Sequence, residues 1–194
     1  MAKFFGNLNA VLIAGIVVLL AIMFGLHSGY VSDTALYPNQ FFRFLHVLCG
    51  IMWIGLLYYF NFVQVPAMPG IPAEHKPGVT GHIAPKALFW FRWAAAFTVL
   101  TGLIVAHLSG YLTQALTLQT GFTLIGIGMW MALIMAFNVW FIIWPAQKKI
   151  LGMVEASDEE KAAAAPRALI ASRTNTLLSI PMLYCMVTQG ALAV

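Results

Sequence analysis

Charge is what this sequence has least of: Asp, Glu, Lys and Arg make up only 8 % of its 194 residues, against about 25 % in a typical soluble domain. A chain this short exposes too much surface to water to be so poor in charge. That excludes an ordinary soluble enzyme, a disordered tail and a nucleic-acid-binding module. Cysteine is scarce too. Cys49 and Cys185 are the two present, and each lies in an apolar stretch. They form neither CxxC nor CxxCH, which excludes a disulfide framework, a zinc knuckle and a c-type haem attachment. What the chain has instead is apolar surface, with 61 % hydrophobic residues and a mean hydropathy of +0.87. Its solvent is lipid, and its formal charge of +4 reads as loop charge that sets orientation.

Crossing about 30 Å of hydrocarbon takes about 20 apolar residues. Five stretches qualify, at about 8–26, 41–63, 87–109, 121–144 and 168–191. Backbone in lipid must satisfy its own hydrogen bonds, so each is expected to be a helix. The expected fold is all-α, one membrane domain over 1–194 built as a bundle of five transmembrane helices. The first stretch is long for a signal-peptide core and lacks an A-x-A site, so it is kept as a span. Lys3 precedes the first helix, Lys76 and Lys86 lie between the second and third, and Lys148, Lys149, Lys161 and Arg167 lie between the fourth and fifth. The opposite loops carry only Arg43, at the edge of the second helix. The positive-inside rule then gives the N-terminus inside and the C-terminus outside.

Between the second and third helices, residues 66–86 contain Pro66, Pro69, Pro72, Pro77 and Pro85 with three glycines, which predicts an irregular connection. Ser157-Asp158-Glu159-Glu160 has capping-box form, which predicts a short helix before the last span. A faint internal echo pairs Met52-Trp53 and Phe60-Asn61 with Met129-Trp130 and Phe137-Asn138 at one constant offset, suggesting a duplicated two-helix unit.

Ionisable groups at membrane depth point to function. His46 and His107 reach similar depth from neighbouring antiparallel helices, near the outer surface. Facing imidazoles of this kind are a candidate axial pair for a b-type haem. Gly50, one turn from His46, leaves room for a flat macrocycle, and Arg43, one turn the other way, is placed to meet a propionate. The plainer reading is that each histidine hydrogen-bonds a neighbouring helix. His27 reads as interfacial, and His75 and His82 as loop residues without metal-ligand spacing. A second cluster lies towards the inner side: Asn61 and Gln64, Arg92, Asn138, and Ser172-Arg173-Thr174-Asn175-Thr176 with Ser179. Arg92 and Arg173, with Asn61, Asn138 and Asn175, are candidates to converge on a planar anion. The alternative is that the arginines snorkel and the amides join helices.

The run from Phe42-Arg43-Phe44-Leu45-His46 through Trp53-Ile54-Gly55 to Asn61-Phe62-Val63-Gln64 resembles the N-terminal membrane region of the bacterial membrane-bound urate oxidase (urate hydroxylase) family. So do Asn138-Val139-Trp140 through Trp144-Pro145-Ala146-Gln147-Lys148, and Ser172-Arg173-Thr174-Asn175 through Ile180-Pro181-Met182. The resemblance implies a multi-pass protein of the bacterial inner membrane and an oxidoreductase-type domain serving purine catabolism. It further implies electron transport to a cytochrome c. In the family that cytochrome is a C-terminal domain; here, without CxxCH, it is expected to be a separate partner. The second-helix string is also similar to more distant membrane haem proteins, the HemJ-type protoporphyrinogen oxidases and copper-resistance membrane proteins, which adds weight to haem b at His46 and His107. Two other functions compete: an accessory subunit of a larger membrane complex, and a small transporter using the inner polar cluster as half a pathway.

Overall fold

The computed structural model describes residues 1–34 and 36–191. Among them there is no strand. The chain divides into two units, residues 1–41 and residues 42–194. The first holds a helical turn at Ala2–Phe5, helix α1 (Leu8–Leu26) and a second turn at Ser28–Val31. The Asn7 side chain caps α1 by accepting from the Asn9 and Ala10 amides, which satisfies two of the donors that a helix start leaves over. No residue of α1 is buried.

Helix α2 (Leu36–Gly70) begins before the boundary between the units, and the rest of the fold lies beyond it. There follow α3 (Lys76–Leu108), the short α4 (Leu112–Leu116), α5 (Thr123–Ile150) and α6 (Asp158–Thr188). Helices α1, α2, α3 and α5 are each long and apolar enough to cross a membrane. The fifth expected stretch, 168–191, is the C-terminal part of α6 together with the residues after it. Its polar first half keeps the 31-residue helix as a whole from standing with those four.

Two sequence expectations need correction. Residues 66–86 are mostly helical, not irregular: only 71–75 interrupt the path from α2 to α3. Likewise the helix begun by Ser157 does not stop short of the last span but runs straight into it. The capping box itself is formed, with Ser157 Oγ accepting from the Glu160 amide and Glu160 returning the bond to the Ser157 amide.

Three of the prolines remain within helix through a single device, whereas Pro166 and Pro181 lie inside α6 without it. Three π-helical turns, Tyr59–Gln64, Val79–Ile83 and Asn138–Ile143, each end two residues before a proline: Pro66, Pro85 and Pro145. A proline inside a helix has no amide to donate, and its ring pushes against the carbonyl four residues back. The residue before it therefore reaches one residue further. Val65 bonds to the Phe60 carbonyl, Ala84 to that of Val79 and Trp144 to that of Val139. Each wide turn makes room for the ring without ending the helix.

The main core joins α2, α3, α5 and α6 through Trp53, Leu57, Phe91, Met135, Val139 and Met182. Along α3, Ala94, Thr98, Gly102 and Ala106 recur every fourth residue. Such small residues let helix backbones approach closely, and Thr98 and Gly102 form the seat of His46 described below.

Candidate functional site

His46 is half-buried on α2, and its Nδ1 lies 2.8 Å from the Thr98 carbonyl oxygen of α3. A carbonyl only accepts, so Nδ1 carries the hydrogen. In the neutral ring, Nε2 is then the nitrogen with a free lone pair. Gly102, one turn on from Thr98, completes the seat: a Cβ there would lie 2.8 Å from Cε1 of His46. Threonine and glycine at this spacing give a carbonyl to orient the imidazole and the space to hold it flat.

Beside this seat lies a cavity of about 570 Å³, lined by Arg43, His46, Gly50, Trp53, Tyr58 and Met186 among others. Its walls are chiefly apolar, from α2, α3, α5 and α6. Cofactor sites typically measure about 300–1,000 Å³ and are mostly apolar with a few fixed polar groups. Trp53 is wholly buried, and its Nε1 has no hydrogen-bond partner. Tyr111 also lines the cavity, with its hydroxyl pKa pushed up by burial and drawn back in part by the charge of Arg43.

Of the four residues expected around a haem, the structure brings Arg43, His46 and Gly50 to one cavity. It does not bring His107 there, since His107 is exposed and absent from the lining. The two histidines do not face the same way. At about 100° per residue, His107 stands about 180° around α3 from Thr98, the residue that meets His46.

The second expected cluster divides as well. Asn61, Asn138, Asn175 and Ser179 are all buried. They form a polar seam along one stripe of α6. Asn61 donates to Ser172 Oγ at 2.8 Å and to the Leu57 carbonyl at 2.9 Å. Asn138 donates to Asn175 Oδ1 at 2.8 Å, and Asn175 donates to the Met135 carbonyl at 2.9 Å. Ser179 donates to the Thr176 carbonyl, so its oxygen accepts from the Tyr58 hydroxyl at 3.0 Å. The asparagines thus join helices at the two π turns that contain Asn61 and Asn138.

The expected convergence of two arginines on these amides is not formed. Arg173 is exposed, since it stands about 160° around α6 from Asn175. Arg92 is half-buried, with its guanidinium 3.7 Å from the Trp144 ring centroid and 5.5 Å from that of Trp140. Its Nη1 has no hydrogen-bond partner, nor has the buried Oε1 of Gln64. Arg92 is held by aromatic faces and not by the seam.

The four-residue spacing of Ala94, Thr98, Gly102 and Ala106 is the signal that reveals the partners of His46. Trp53, seven residues after His46, shares its face of α2, but Tyr58 carried no such signal, because an aromatic residue in an apolar helix looks like any other core or lipid-facing group.

Fold and seam together define a multi-pass α-helical membrane bundle with a histidine-bearing cavity. Residues 104–191 match the family model described as urate oxidase N-terminal, so this stretch is similar to that domain. It takes in the end of α3, then α4, α5 and α6, and so contains His107, Asn138, Arg173 and Asn175. No curated protein and no solved structure matches the chain.

Proposed function

We propose that this chain is a membrane-embedded haem-b redox protein of the urate oxidase-related type, passing electrons to a separate cytochrome. The observation that supports it most is the seat of His46. One ring nitrogen is fixed by the Thr98 carbonyl and the other is left as a ligand atom, at the edge of an apolar cavity of cofactor size. Metal-bound histidines are commonly oriented in this way, by a hydrogen bond from the second ring nitrogen.

The residues present fit the group. His46 would hold the iron through Nε2, Gly50 would keep the wall flat, and Arg43 would balance a propionate. Bound haem supplies a one-electron store within the bilayer. The chain's own residues fix the imidazole, exclude water through the Trp53, Met129 and Met182 walls, and present a positive charge at the Arg43 end. By the loop charges this end faces outward, where a cytochrome partner would dock. In this arrangement α1, α2, α3, α5 and the C-terminal part of α6 span the membrane, with the N-terminus inside. Helix α6 is about 46 Å long at 1.5 Å per residue, enough for the crossing and for a cytoplasmic extension.

A visible spectrum of the purified chain tests the reading. A Soret band that is lost in His46→Ala supports it, and a colourless, folded chain from haem-replete cells rejects it. A C-terminal reporter active only in the cytoplasm rejects the topology. A second reading, a haem-bearing accessory subunit of a larger complex, draws support from the seam, whose asparagines bond to one another and to backbone instead of facing an open substrate site. Urate-dependent reduction of the haem by the chain with its cytochrome favours the first reading. Its absence, with other subunits copurifying, favours the second.

A further inference from the structure

A groove of about 470 Å³ lies between α2 and α3, away from the His46 cavity. It is lined by Leu56 and Tyr59 of α2 and by His82, Ile83, Lys86, Ala87 and Trp90 of α3. The α3 residues recur at steps of three and four, so they share one face of that helix. Four of the seven lining residues carry hydrogen-bond donors: Tyr59, His82, Lys86 and Trp90. Among the described residues, none of the four has a hydrogen-bond partner within the chain. The other three, Leu56, Ile83 and Ala87, are apolar. His82 and Lys86 are exposed at the lysine-bearing end of the apolar span, and Ala87 and Trp90 lie within its first turns. The groove therefore has an ammonium and an imidazole donor at the lysine-bearing end, amphipathic aromatic rings at the interface and an apolar floor running towards the hydrocarbon. The π turn Val79–Ile83 contributes to the placement, because it keeps His82 on a helix that continues through Pro85 to Lys86.

We infer that this groove binds one anionic phospholipid, with its phosphodiester on Lys86 and His82, hydrogen bonds from Tyr59 and Trp90, and an acyl chain along Leu56 and Ala87. Charge complementarity selects an anionic lipid over a zwitterionic one, since basic pockets between membrane helices attract such headgroups. The inference is independent of any haem.

The full chain, reconstituted into nanodiscs of phosphatidylcholine with a minor fraction of phosphatidylglycerol, supplies the test. Lipid retained after mild delipidation is identified by mass spectrometry. Phosphatidylglycerol is expected to be enriched in what the native chain retains. Lys86→Ala should lower that preference roughly fivefold, the effect of about one basic residue near an anionic surface. Lys86→Arg should restore it, and Arg167→Ala, outside the groove, should leave it unchanged. Brominated phosphatidylglycerol should quench a fluorescence component that is missing in Trp90→Phe, which keeps the test valid if a charge variant folds poorly. Equal retention of both lipids, or enrichment that survives His82→Ala with Lys86→Ala, overturns the inference. So does displacement by inorganic phosphate, which would mark a site for the free anion.

Discussion

The imidazole of His46 occupies the space that a side chain on Gly102 would need, with Cε1 at 2.8 Å and Nδ1 at 3.0 Å from an added Cβ. Gly102→Ala should therefore push the ring off the Thr98 carbonyl, breaking a hydrogen bond that contributes about 1 kcal/mol. The expected outcome is a folded protein with a weakened or shifted Soret band. Thermal unfolding in detergent, run alongside the spectrum, distinguishes this local effect from general loss of structure.

On the proposed haem reading, His46→Ala should remove most of the haem, whereas His107→Ala should leave the spectrum close to native. The reason is that His46 lines the cavity and His107 does not. Equal loss in both variants would restore the paired arrangement expected from depth alone.

Removing Asn175 strips Asn138 of its acceptor and the Met135 carbonyl of a donor. Asn175→Ala should destabilise the bundle by about 1–3 kcal/mol, the usual range when buried polar groups lose their partners. Arg173→Ala, two residues away and exposed, should stay within about 0.5 kcal/mol. Unfolding in detergent mixtures measures both. A large loss of stability in the arginine variant would contradict the orientation of α6.

Pro145→Ala returns an amide that can bond to the Phe141 carbonyl, and the turn Asn138–Ile143 is then free to close into ordinary α-helix. Asn138 would rotate away from Asn175. A double-mutant cycle between positions 138 and 175 should show its coupling energy fall towards zero in the Pro145→Ala background.

At the start of α6, a hydrogen bond from Lys149, reinforced by the Ser157 amide and the lysine's charge, holds the Glu160 carboxyl below its ordinary value of 4.5. A carboxyl with a lowered folded-state pKa contributes stability above its unfolded value and loses it as pH falls through the folded one. Amide exchange in the first turn of α6 should therefore quicken as pH drops below 4.5, beyond the intrinsic pH trend of exchange. Glu160→Gln should flatten that dependence.

Much of the fold was open to reading because lipid imposes few solutions. Apolar length located the helices, and Ser157 with Glu160 located the start of α6. The prolines misled. Five of them in 66–86 looked like a break, while the compensating π turns depend on where the preceding residue finds a carbonyl, which composition does not reveal. The echo between the second and fourth predicted spans has a structural counterpart, a π turn before a proline in each. The asparagines of the echo nevertheless sit at different places in their turns, Asn61 third and Asn138 first. At the site, depth came from counting residues, but the facing direction of His107 and Arg173 required knowing which stripe of each helix is packed.

The segment between α3 and α5 is pinned at every point where it might swing. Tyr111 stacks on Phe122, Trp130 donates to the Leu116 carbonyl, and Gln189 bonds to both the Gly121 carbonyl and the Ile125 amide. A Cβ on Gly126 would overlap the Ala115 carbonyl oxygen, so α4 and α5 touch backbone to backbone. Tyr111 and Ile125 of this fixed frame also line the cavity, so that wall keeps its shape through the same contacts that hold the loop.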